Sequence, residues 1–561
     1  ARDVSNSLSI NTSKALWLDR EGILWYGTHG SGLYSINTSN DLVNIYRNNP
    51  ADPGSISENA INCIFEDRTG TLWIGTFGAG ISIMDPEANK FELLTHNPID
   101  PGSLSSNFIW SVFEANDGSV WIGTNDQGLN CYFPGKGTFI CYNQDENNPF
   151  SLAASSVRKV YQDSNGNVWV GTDGGGLDLL DKGRGDFKHF RNDPDDPSTL
   201  SDNSVRTIYE DDEGYLWIGT REGLNKFNPV TNKFKRFVNE PGNPLSISNN
   251  FIYSAILKDS KNNLWVGTYG GGLNKMDIEQ ETFTRYQYRP QDPASLSDNI
   301  VFAIYEDKGG RLWIGTNSGL NLMDQATGNF IRFGLAQGLP NEVIYGILPD
   351  DNNNIWMSTN FGMARMNLTD FSITSFDVSD GLQSNEFNGG AFHLGISGKH
   401  YWGGVYGLNI VEPDKIVPAK NQSNVVFTKL ELLGKEVRVK EPGSSGTNDA
   451  ETNEIMDDGT HLSMANNISY TAEIVLNYAQ RFISFEFSAL NKPPAQKMFY
   501  SYRMENMEND WNYSGERNFV TYANMKPGTY VFKANVTNKY GFDSPNPAEL
   551  TITINPPFWS T

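Results

Sequence analysis

Short apolar runs separated by turn residues recur along this chain, and one unit shows the pattern clearly. Residues 205–211 are rich in β-branched and aromatic side chains, Asp212-Glu213-Gly214 has turn chemistry, and residues 215–220 form a second apolar run. Two further runs follow at residues 223–227 and 233–237. The pattern predicts four short antiparallel strands per unit, and no 3.6-residue helical periodicity accompanies it.

The unit is repeated nine times, and each copy is marked by a tryptophan within a version of Leu72-Trp73-Ile74-Gly75-Thr76. The first six intervals between tryptophans are 48 residues, and the last two are 43 and 46. Four strands per unit of roughly 40–50 residues are typical of a β-propeller blade. We therefore predict an all-β propeller of nine four-stranded blades. The marker residues are Trp25, Trp73, Trp121, Trp169, Trp217, Trp265, Trp313, Trp356 and Trp402.

Positions that repeat can be separated from positions that vary. A glycine precedes the third strand in every copy, from Gly32 to Gly407, as expected for a turn that needs positive φ or close backbone approach. The tryptophans are interpreted as packing between blades. The loop between the threonine that ends the repeated Leu-Trp-Ile-Gly-Thr pattern and this glycine differs in every copy. In a four-stranded blade this loop, between the second and third strands, lies on the face that also carries the blade-to-blade connections. We predict that these loops surround one mouth of the central channel and bind a ligand.

The candidate ligand-binding residues of these loops are His29, Phe77, Asn125, Asp126, Gln127, Asp173, Arg221, Glu222, Tyr269, Asn317, Asn360, Phe361 and Tyr406. Three more candidates, Trp110, Arg158 and Arg206, stand where the first strand of a blade enters the channel. Amides, carboxylates and guanidinium groups suit sugar hydroxyls, and aromatic rings suit the C–H faces of sugars. Arg158, Arg206 and Arg221 would add selectivity for an acidic sugar, because an arginine fork matches a carboxylate or a sulfate.

Charge and composition exclude several functions. The formal net charge of −23 opposes nucleic-acid binding, and no apolar run reaches the roughly 20 residues that span a bilayer. No cofactor and no metal site are predicted: the six histidines have no metal spacing, and the aspartates six residues before most of the tryptophans are interpreted as hairpin turns rather than calcium ligands. No carboxylate pair stands apart from the repeat as a catalytic pair, so this region is predicted to be non-catalytic.

Three cysteines leave at least one thiol unpaired. Cys131 and Cys141 are expected on neighbouring strands of one hairpin, so either a cross-strand disulfide or two half-buried thiols fits the sequence.

The repeats, the segment from Asp380-Gly381-Leu382 to Phe387 and the degenerate copy at residues 401–408 resemble periplasmic two-component-regulator propeller sensors. Residues 482–487, 499–503 and 522–530, with Asp510-Trp511, resemble the tyrosine-rich, immunoglobulin-like (Y_Y_Y) sandwich that joins such propellers to a transmembrane helix. The resemblance implies a propeller over residues 1–418 and a sandwich over residues 419–561. The transmembrane helix that would follow, the link to the membrane, is not part of this sequence.

The resemblance further implies the periplasmic part of an inner-membrane histidine kinase, commonly a hybrid kinase of a Gram-negative bacterium. Such a sensor would bind an oligosaccharide or polysaccharide fragment and signal to genes for its utilisation. Transmission would require the ligand to favour one arrangement of a pair of sandwiches, so a homodimer through the sandwich is predicted. A protein-interaction platform is the alternative function, and a propeller glycoside hydrolase or lyase is a third. Relatives usually carry two seven-bladed rings, whereas this sequence has nine repeats. Two arrangements are therefore open: one ring of nine blades, which we favour, or a seven-bladed ring with two blades of a truncated ring.

Overall fold

The computed structural model describes residues 13–38, 42–50, 54–67, 70–84, 91–98, 100, 102–416, 423–439, 455–457, 462–490 and 497–557. Within these residues the regular structure is β-strand, apart from four three-residue 3-10 helices at Leu335–Gln337, Val378–Asp380, Pro413–Lys415 and Ile468–Tyr470. None of the helices in these ranges is long and apolar enough to cross a bilayer. The all-β prediction is confirmed. The chain divides into two compact units, one of residues 1–88 and 418–561 and the other of residues 89–417.

The first two repeats form two blades that share a core around Trp25, Ile61 and Leu72. The first blade has four strands in chain order, and the second has three within the described residues. Ile81, the first residue of the third strand of the second blade, is 63% exposed. Leu129, at the same position of the next repeat, is fully buried. The strands are β1 (Ser13–Leu18), β2 (Ile23–Thr28), β3 (Leu33–Asn37), β4 (Leu42–Tyr46), β5 (Ile61–Glu66), β6 (Leu72–Thr76) and β7 (Ile81–Met84).

The unit of residues 89–417 contains seven four-stranded antiparallel sheets. It begins with β8 (Glu92–Leu94), and six sheets of four consecutive strands follow. The first three are β9 (Ile109–Glu114), β10 (Val120–Thr124), β11 (Leu129–Phe133) and β12 (Thr138–Tyr142); β13 (Val157–Gln162), β14 (Val168–Thr172), β15 (Leu177–Asp181) and β16 (Asp186–Phe190); and β17 (Val205–Glu210), β18 (Leu216–Thr220), β19 (Gly223–Asn228) and β20 (Lys233–Phe237).

The next three are β21 (Ile256–Lys258), β22 (Leu264–Thr268), β23 (Gly272–Asp277) and β24 (Thr282–Tyr286); β25 (Val301–Glu306), β26 (Leu312–Thr316), β27 (Gly319–Asp324) and β28 (Asn329–Phe333); and β29 (Ile344–Pro349), β30 (Asn354–Thr359), β31 (Met363–Asn367) and β32 (Ile373–Phe376). The seventh sheet has β33 (Phe387–Leu394), β34 (His400–Gly404) and β35 (Gly407–Val411), and its outer strand is β8.

The pairing of β35 with β8 closes a ring of seven blades. Leu408 pairs with Leu94, and a side chain on Gly407, which has φ 125°, would collide with the Leu94 carbonyl oxygen. The first strands of successive blades contact one another around the ring, and β33 contacts β9. Nine repeats are therefore present, but the favoured single ring of nine is wrong and the alternative of seven plus two is the arrangement found. The reason is that residues 92–94 pair with the last blade of the ring instead of extending the second repeat.

The six ring tryptophans from Trp121 to Trp356 pack against the following blade, as predicted. Trp402 instead faces the preceding blade, where a Cβ on Gly346 would lie 3.0 Å from its ring. Trp169 lies 2% exposed in a cluster with Val205 and Ile218 of the next blade and meets Phe227 edge-on at 5.5 Å. The small glycine of the Trp-x-Gly-Thr pattern allows this close approach: a Cβ on Gly171 would lie 2.5 Å from a Val205 methyl. The inter-blade cores are therefore continuous around the ring.

In seven repeats the aspartate six residues before the tryptophan accepts a hydrogen bond from the indole Nε1 at 2.7–2.9 Å. The same carboxylate closes the hairpin turn, as when Asp163 Oδ1 accepts from the backbone N–H groups of Asn165 and Asn167. These aspartates therefore act in the hairpin itself. At Trp121 and Trp402 the position holds Ala115 and Ile396, and within the described ranges the two indole N–H groups have no partner.

Cys131 and Cys141 are free thiols, so of the two arrangements left open the disulfide is not formed. The strands β11 and β12 are neighbours as expected, but the residue directly opposite Cys131 is Ile140. Because side chains alternate between faces of a strand, Cys131 and Cys141 point to opposite faces of the sheet.

The C-terminal sandwich has two sheets, in the orders β38-β39-β37-β36-β41-β44 and β40-β46-β45-β42-β43, with Phe485 stacked on Phe532 at 4.3 Å between them. Two pairs, β37 with β39 and β40 with β46, are parallel. The strands are β36 (Asn424–Leu432), β37 (Lys435–Val439), β38 (Met456–Asp457), β39 (Leu462–Met464), β40 (Glu473–Leu476), β41 (Ile483–Leu490), β42 (Met498–Glu505), β43 (Asn512–Gly515), β44 (Phe519–Tyr522), β45 (Gly528–Asn538) and β46 (Ala548–Ile554).

Candidate functional site

Three arginines converge on one aspartate at the mouth of the ring. Asp173, in the β14–β15 loop, lies with its Oδ2 3.0 Å from a guanidinium nitrogen of Arg158, 3.1 Å from one of Arg206 and 3.6 Å from one of Arg221. Its Oδ1 accepts a hydrogen bond from Ser204 Oγ at 2.5 Å. Two adjacent blades therefore supply one carboxylate and three cations to a single point, which we call the arginine cluster (Arg158, Arg206, Arg221 and Asp173).

The cluster is partly shielded from water, and this sets its protonation. Burial alone would raise the pKa of Asp173, but the Ser204 hydrogen bond and the charges of Arg206 and Arg158 outweigh it, so the pKa lies below the usual range. Burial, followed by repulsion from Arg158, lowers the pKa of Arg206 to about 10. Burial also lowers the pKa of Arg158, against the opposing effect of Asp173. At neutral pH the cluster consequently holds three positive charges and one negative charge.

An aromatic wall continues from the arginine cluster around the ring; it consists of Phe251, Tyr253, Tyr269, Phe302 and Tyr345. Phe251 and Tyr269 are 5.1 Å apart, Tyr253 and Phe302 are 5.5 Å apart, and Phe302 and Tyr345 are 5.0 Å apart, all between ring centroids. Tyr269 is 41% exposed, so its ring is open to a ligand. Burial raises the pKa of Tyr253, and its phenol remains a neutral hydroxyl.

Trp110 borders the arginine cluster on the opposite side. The Arg158 guanidinium lies 3.9 Å from the centroid of the Trp110 ring, and the Trp110 indole donates to Asn125 Oδ1 at 2.9 Å. On the aromatic side the Arg206 guanidinium lies 5.7 Å from the Phe251 ring. The cations are thus fixed between aromatic surfaces, which is the combination that sugar rings with charged substituents require.

The structure brings together only part of the predicted set. Trp110, Asn125, Arg158, Asp173, Arg206, Arg221 and Tyr269 belong to the connected network just described. The Asn360 side chain is hydrogen-bonded to the Tyr345 hydroxyl. Glu222 accepts a hydrogen bond from the side-chain amide of Asn250 at 3.4 Å. The remaining ring residues are exposed in their loops, and these are Asp126, Gln127, Asn317, Phe361 and Tyr406.

His29 and Phe77 belong to the two N-terminal blades, where their rings lie 6.2 Å apart, and are not among the loops of the seven-bladed ring. They were grouped with the others because all nine repeats carry the same loop, and repeat number alone does not show which blades close together.

Sequence reasoning missed several residues of the network. Phe251 and Ser204 stand two residues before the inward-facing position of their blades, and this position varies among repeats, so comparing the repeats at that offset would have found them. Gly389 occupies the inward position of the seventh blade; a Cβ there would lie 2.6 Å from Tyr253 and 3.2 Å from Tyr345. Its missing side chain leaves room for the aromatic wall.

A cleft of about 850 Å³ lies on the outer part of the second ring blade, lined by residues that include Phe150, Lys182 and His189. None of the sequence-predicted residues lines it. Its lining belongs mainly to β15 and β16, which are the strands of that blade farthest from the channel. The converging polar groups thus belong to the mouth, and the cleft is a separate feature.

Comparison with known proteins finds family models for both the repeats and the C-terminal sandwich. The model of the two component regulator propeller matches residues 55–78, 103–126, 151–174, 199–222, 246–270, 295–318 and 338–361, and the model of the Y_Y_Y domain matches residues 494–555. The chain is therefore built from two-component regulator propeller repeats followed by a Y_Y_Y domain.

Among solved structures, the chain is similar to the extracellular domain of the putative hybrid two component system BT3049 from B. thetaiotaomicron, with 25% identity and a TM-score of 0.76 over 97% of this chain and 68% of that one. It is 26% identical over 178 residues to histidine kinase P4 of Formosa agariphila, a match that covers 32% of this chain and 12% of the kinase. The repeats, the fold and these relatives support a sensor role for this region.

Proposed function

We propose that this chain is the extracytoplasmic sensor of a membrane-bound histidine kinase and that it recognises an oligosaccharide or polysaccharide fragment at the mouth of the seven-bladed ring. The observation that carries the proposal is the joining of an arginine cluster and an aromatic wall at one mouth, on loops and first strands whose residues differ from blade to blade. Its relatives include an extracellular domain of a hybrid two-component system and a histidine kinase. Binding would signal to genes for use of the glycan.

Thermal-shift screening with glycan fragments tests this proposal, because a ligand that binds only the folded state raises its stability. Tyr269→Ala should then weaken binding of the selected glycan by about 1–3 kcal/mol through loss of a stacking surface. Phe150→Ala is the matched control, since Phe150 is 60% exposed but lies in the outer cleft. Equal binding by wild type and Tyr269→Ala would show that the mouth is the wrong site.

We propose that the region has no turnover of its own. Glycoside hydrolysis uses a carboxylic acid that holds a proton near neutral pH together with a second carboxylate. Asp173, the carboxylate at the centre of the cluster, has a lowered pKa and is held by arginines, so it is unsuited to protonate a leaving group. Product formation from the bound glycan that disappears on replacing one carboxylate would contradict this.

Signalling requires that the ligand favour one arrangement of two sandwiches over another, because equal affinity for both states shifts nothing. We propose a homodimer through the sandwich. Tyr513 on β43 and Phe519 on β44 are 85% and 50% exposed, and both strands are at sheet edges. Light scattering of wild type and Tyr513→Ser, with and without glycan, tests this: a monomer under all conditions would refute it.

A protein-interaction platform is the second candidate function, and the observation that favours it lies on the second N-terminal blade. Phe65, Ile81 and Ile83 are 55%, 63% and 45% exposed on one face. The equivalent face of a ring blade is covered by the next blade, so the partner that fits is another blade of this type. A soluble monomer that keeps its state after Ile81→Lys would argue against it.

A further inference from the structure

We propose that the arginine cluster is a subsite for the anionic substituent of the ligand, a carboxylate or a sulfate carried on a sugar. The inference rests on the proposed function, because it specifies the chemistry of the glycan taken at the same mouth. It makes a narrower claim: the ligand is acidic, and Arg206, Arg158 and Arg221 hold its charge.

The arginine cluster carries more positive than negative charge. All three guanidinium groups approach the same oxygen of Asp173, Oδ2, while Oδ1 is occupied by the Ser204 hydroxyl. One carboxylate cannot neutralise three cations, so two positive charges remain in excess. Glu222 follows Arg221 in the chain but accepts from Asn250. An anionic group from a ligand would supply the missing negative charge.

One guanidinium N–H donor in the middle of the cluster is unused within the described residues. The Arg206 side chain is only 5% exposed, and its Nε has no hydrogen-bond partner within the described residues. A buried charged donor that is left unpaired is destabilising, and such groups in native structures call for an explanation. A carboxylate or sulfate oxygen beside Arg206 would satisfy this donor.

The three arginines of the cluster differ in their exposure to solvent. Arg158 is 14% exposed and fixed against Trp110, whereas Arg221 is 53% exposed at the edge of the mouth. The cluster thus has two positioned cations inside and one reachable cation at the entrance. Burial and mutual repulsion already lower the pKa of Arg206 to about 10, so the group is charged at neutral pH and disfavoured by its neighbours. A bound anion would relieve that repulsion.

The surroundings of the cluster favour one kind of anion. The aromatic wall begins next to the cluster, at Phe251, and offers stacking surfaces for sugar rings. The whole chain carries a net charge of −23, which opposes an extended polyanion but acts weakly on one isolated charge, since fields are screened beyond about 8 Å at physiological ionic strength. The arrangement therefore fits a mainly neutral glycan with isolated acidic groups better than a polyphosphate.

The subsite is tested first with inorganic sulfate as the probe and the intact chain as the target. Sulfate should raise the melting temperature of wild type above that in sodium chloride of equal ionic strength, and Arg221→Gln should reduce the difference by about 2 °C or more. Because Arg221 is half-exposed, this variant keeps the fold. Arg184→Gln, at an 80% exposed arginine away from the mouth, is the matched control and should respond like wild type. An identical sulfate response in wild type, Arg221→Gln and Arg206→Gln overturns the subsite.

The second arm separates carboxylate from sulfate and the subsite from the function. Calorimetry compares uronate oligosaccharides with their carboxyl-reduced forms, and sulfated oligosaccharides with their desulfated forms. The acidic member of the recognised pair should bind about 10- to 100-fold more tightly, and Arg206→Gln should remove that preference. If neutral and acidic members bind equally and Tyr269→Ala weakens both, the subsite is refuted while the sensor proposal stands. If the arginine variants alter the sulfate response and Tyr269→Ala leaves glycan binding intact, the glycan site is refuted and the anion site stands.

Discussion

Replacing Asp211 by Ala should destabilise the ring, because this one carboxylate serves a buried tryptophan and a hairpin turn together. Asp211 Oδ2 accepts from Trp217 Nε1 at 2.8 Å, and its Oδ1 accepts from the backbone N–H groups of Glu213 and Tyr215 at 3.1 and 3.0 Å. Trp217 is 1% exposed, so water cannot replace the lost acceptor of its indole. The turn is partly exposed, and water can serve its two N–H groups.

The magnitude follows from these contacts. A buried donor left unsatisfied costs about 1–3 kcal/mol, and loss of two charge-assisted bonds at a partly hydrated turn adds about 1 kcal/mol more. We therefore expect the free energy of unfolding to fall by about 2–4 kcal/mol. Denaturant unfolding of the intact chain measures this change, and calorimetry assigns it to the unfolding transition of the ring.

The chain contains its own control, because Trp121 has Ala115 at the equivalent position and an unpartnered indole N–H. Trp217→Phe and Trp121→Phe remove the same volume from equivalent, nearly buried sites, but only the first removes a hydrogen bond. The loss at Trp217 should exceed the loss at Trp121 by about 1–3 kcal/mol. Equal losses would refute the idea that the aspartate stabilises the blade through the indole.

Three further outcomes are expected. Burial lowers the pKa of His393 to about 3 and of His400 to about 4, below the value of about 6.5 in the unfolded chain. The unfolded state therefore binds more protons, and the free energy of unfolding decreases as the pH falls below 6.5. His393→Gln should reduce the slope of the free energy of unfolding against pH by about 1.4 kcal/mol per pH unit, and an unchanged slope in urea titrations would contradict this. Phe91 immediately precedes β8 and is 3% exposed, so Phe91→Ala should lower the stability of the ring by about 3–5 kcal/mol. Leu93 is 41% exposed, so Leu93→Ala should change the stability by less than about 1 kcal/mol. Similar losses in the two variants would argue against closure of the ring by this strand. Removal of divalent cations with EDTA should leave the melting temperature unchanged if the repeated aspartates act only as turn and indole acceptors, and a clear drop would restore the calcium interpretation.

The blades were predictable because their determinants are local. The aspartate turn, the tryptophan and the glycine before the third strand lie within 14 residues, as from Asp19 to Gly32, and each has a direct steric or hydrogen-bonding reason. The closure of the ring was not predictable in this way. Residues 90–94, Lys-Phe-Glu-Leu-Leu, have the same pattern as the outer strand at residues 233–237, so the local sequence suits pairing with β7 or with β35 equally. The choice depends on how seven blades fit around a circle, which is a property of the whole unit.

Several residues of the candidate site were predictable from local sequence, but their arrangement in space was not. Arg158, Arg206 and Arg221 were identified individually from their variable positions, but their convergence on Asp173 depends on two blades meeting at the correct angle. Phe251 is not predicted, because the repeat pattern indicates one inward-facing position per first strand. In the structure the residue two places earlier also contributes to the site, as Phe251 does beside Tyr253. Whether these residues bind a glycan stays a prediction.

The aspartate turn and the variable loop lie at opposite ends of each blade. In the third ring blade, β18 separates Asp211 from Arg221, and its five residues span about 17 Å at the usual rise of a strand. Mutations at the loop therefore leave the indole anchor of their own blade intact. Loop codons can therefore change one blade at a time during evolution, and each intermediate sequence still yields a folded protein on which selection can act.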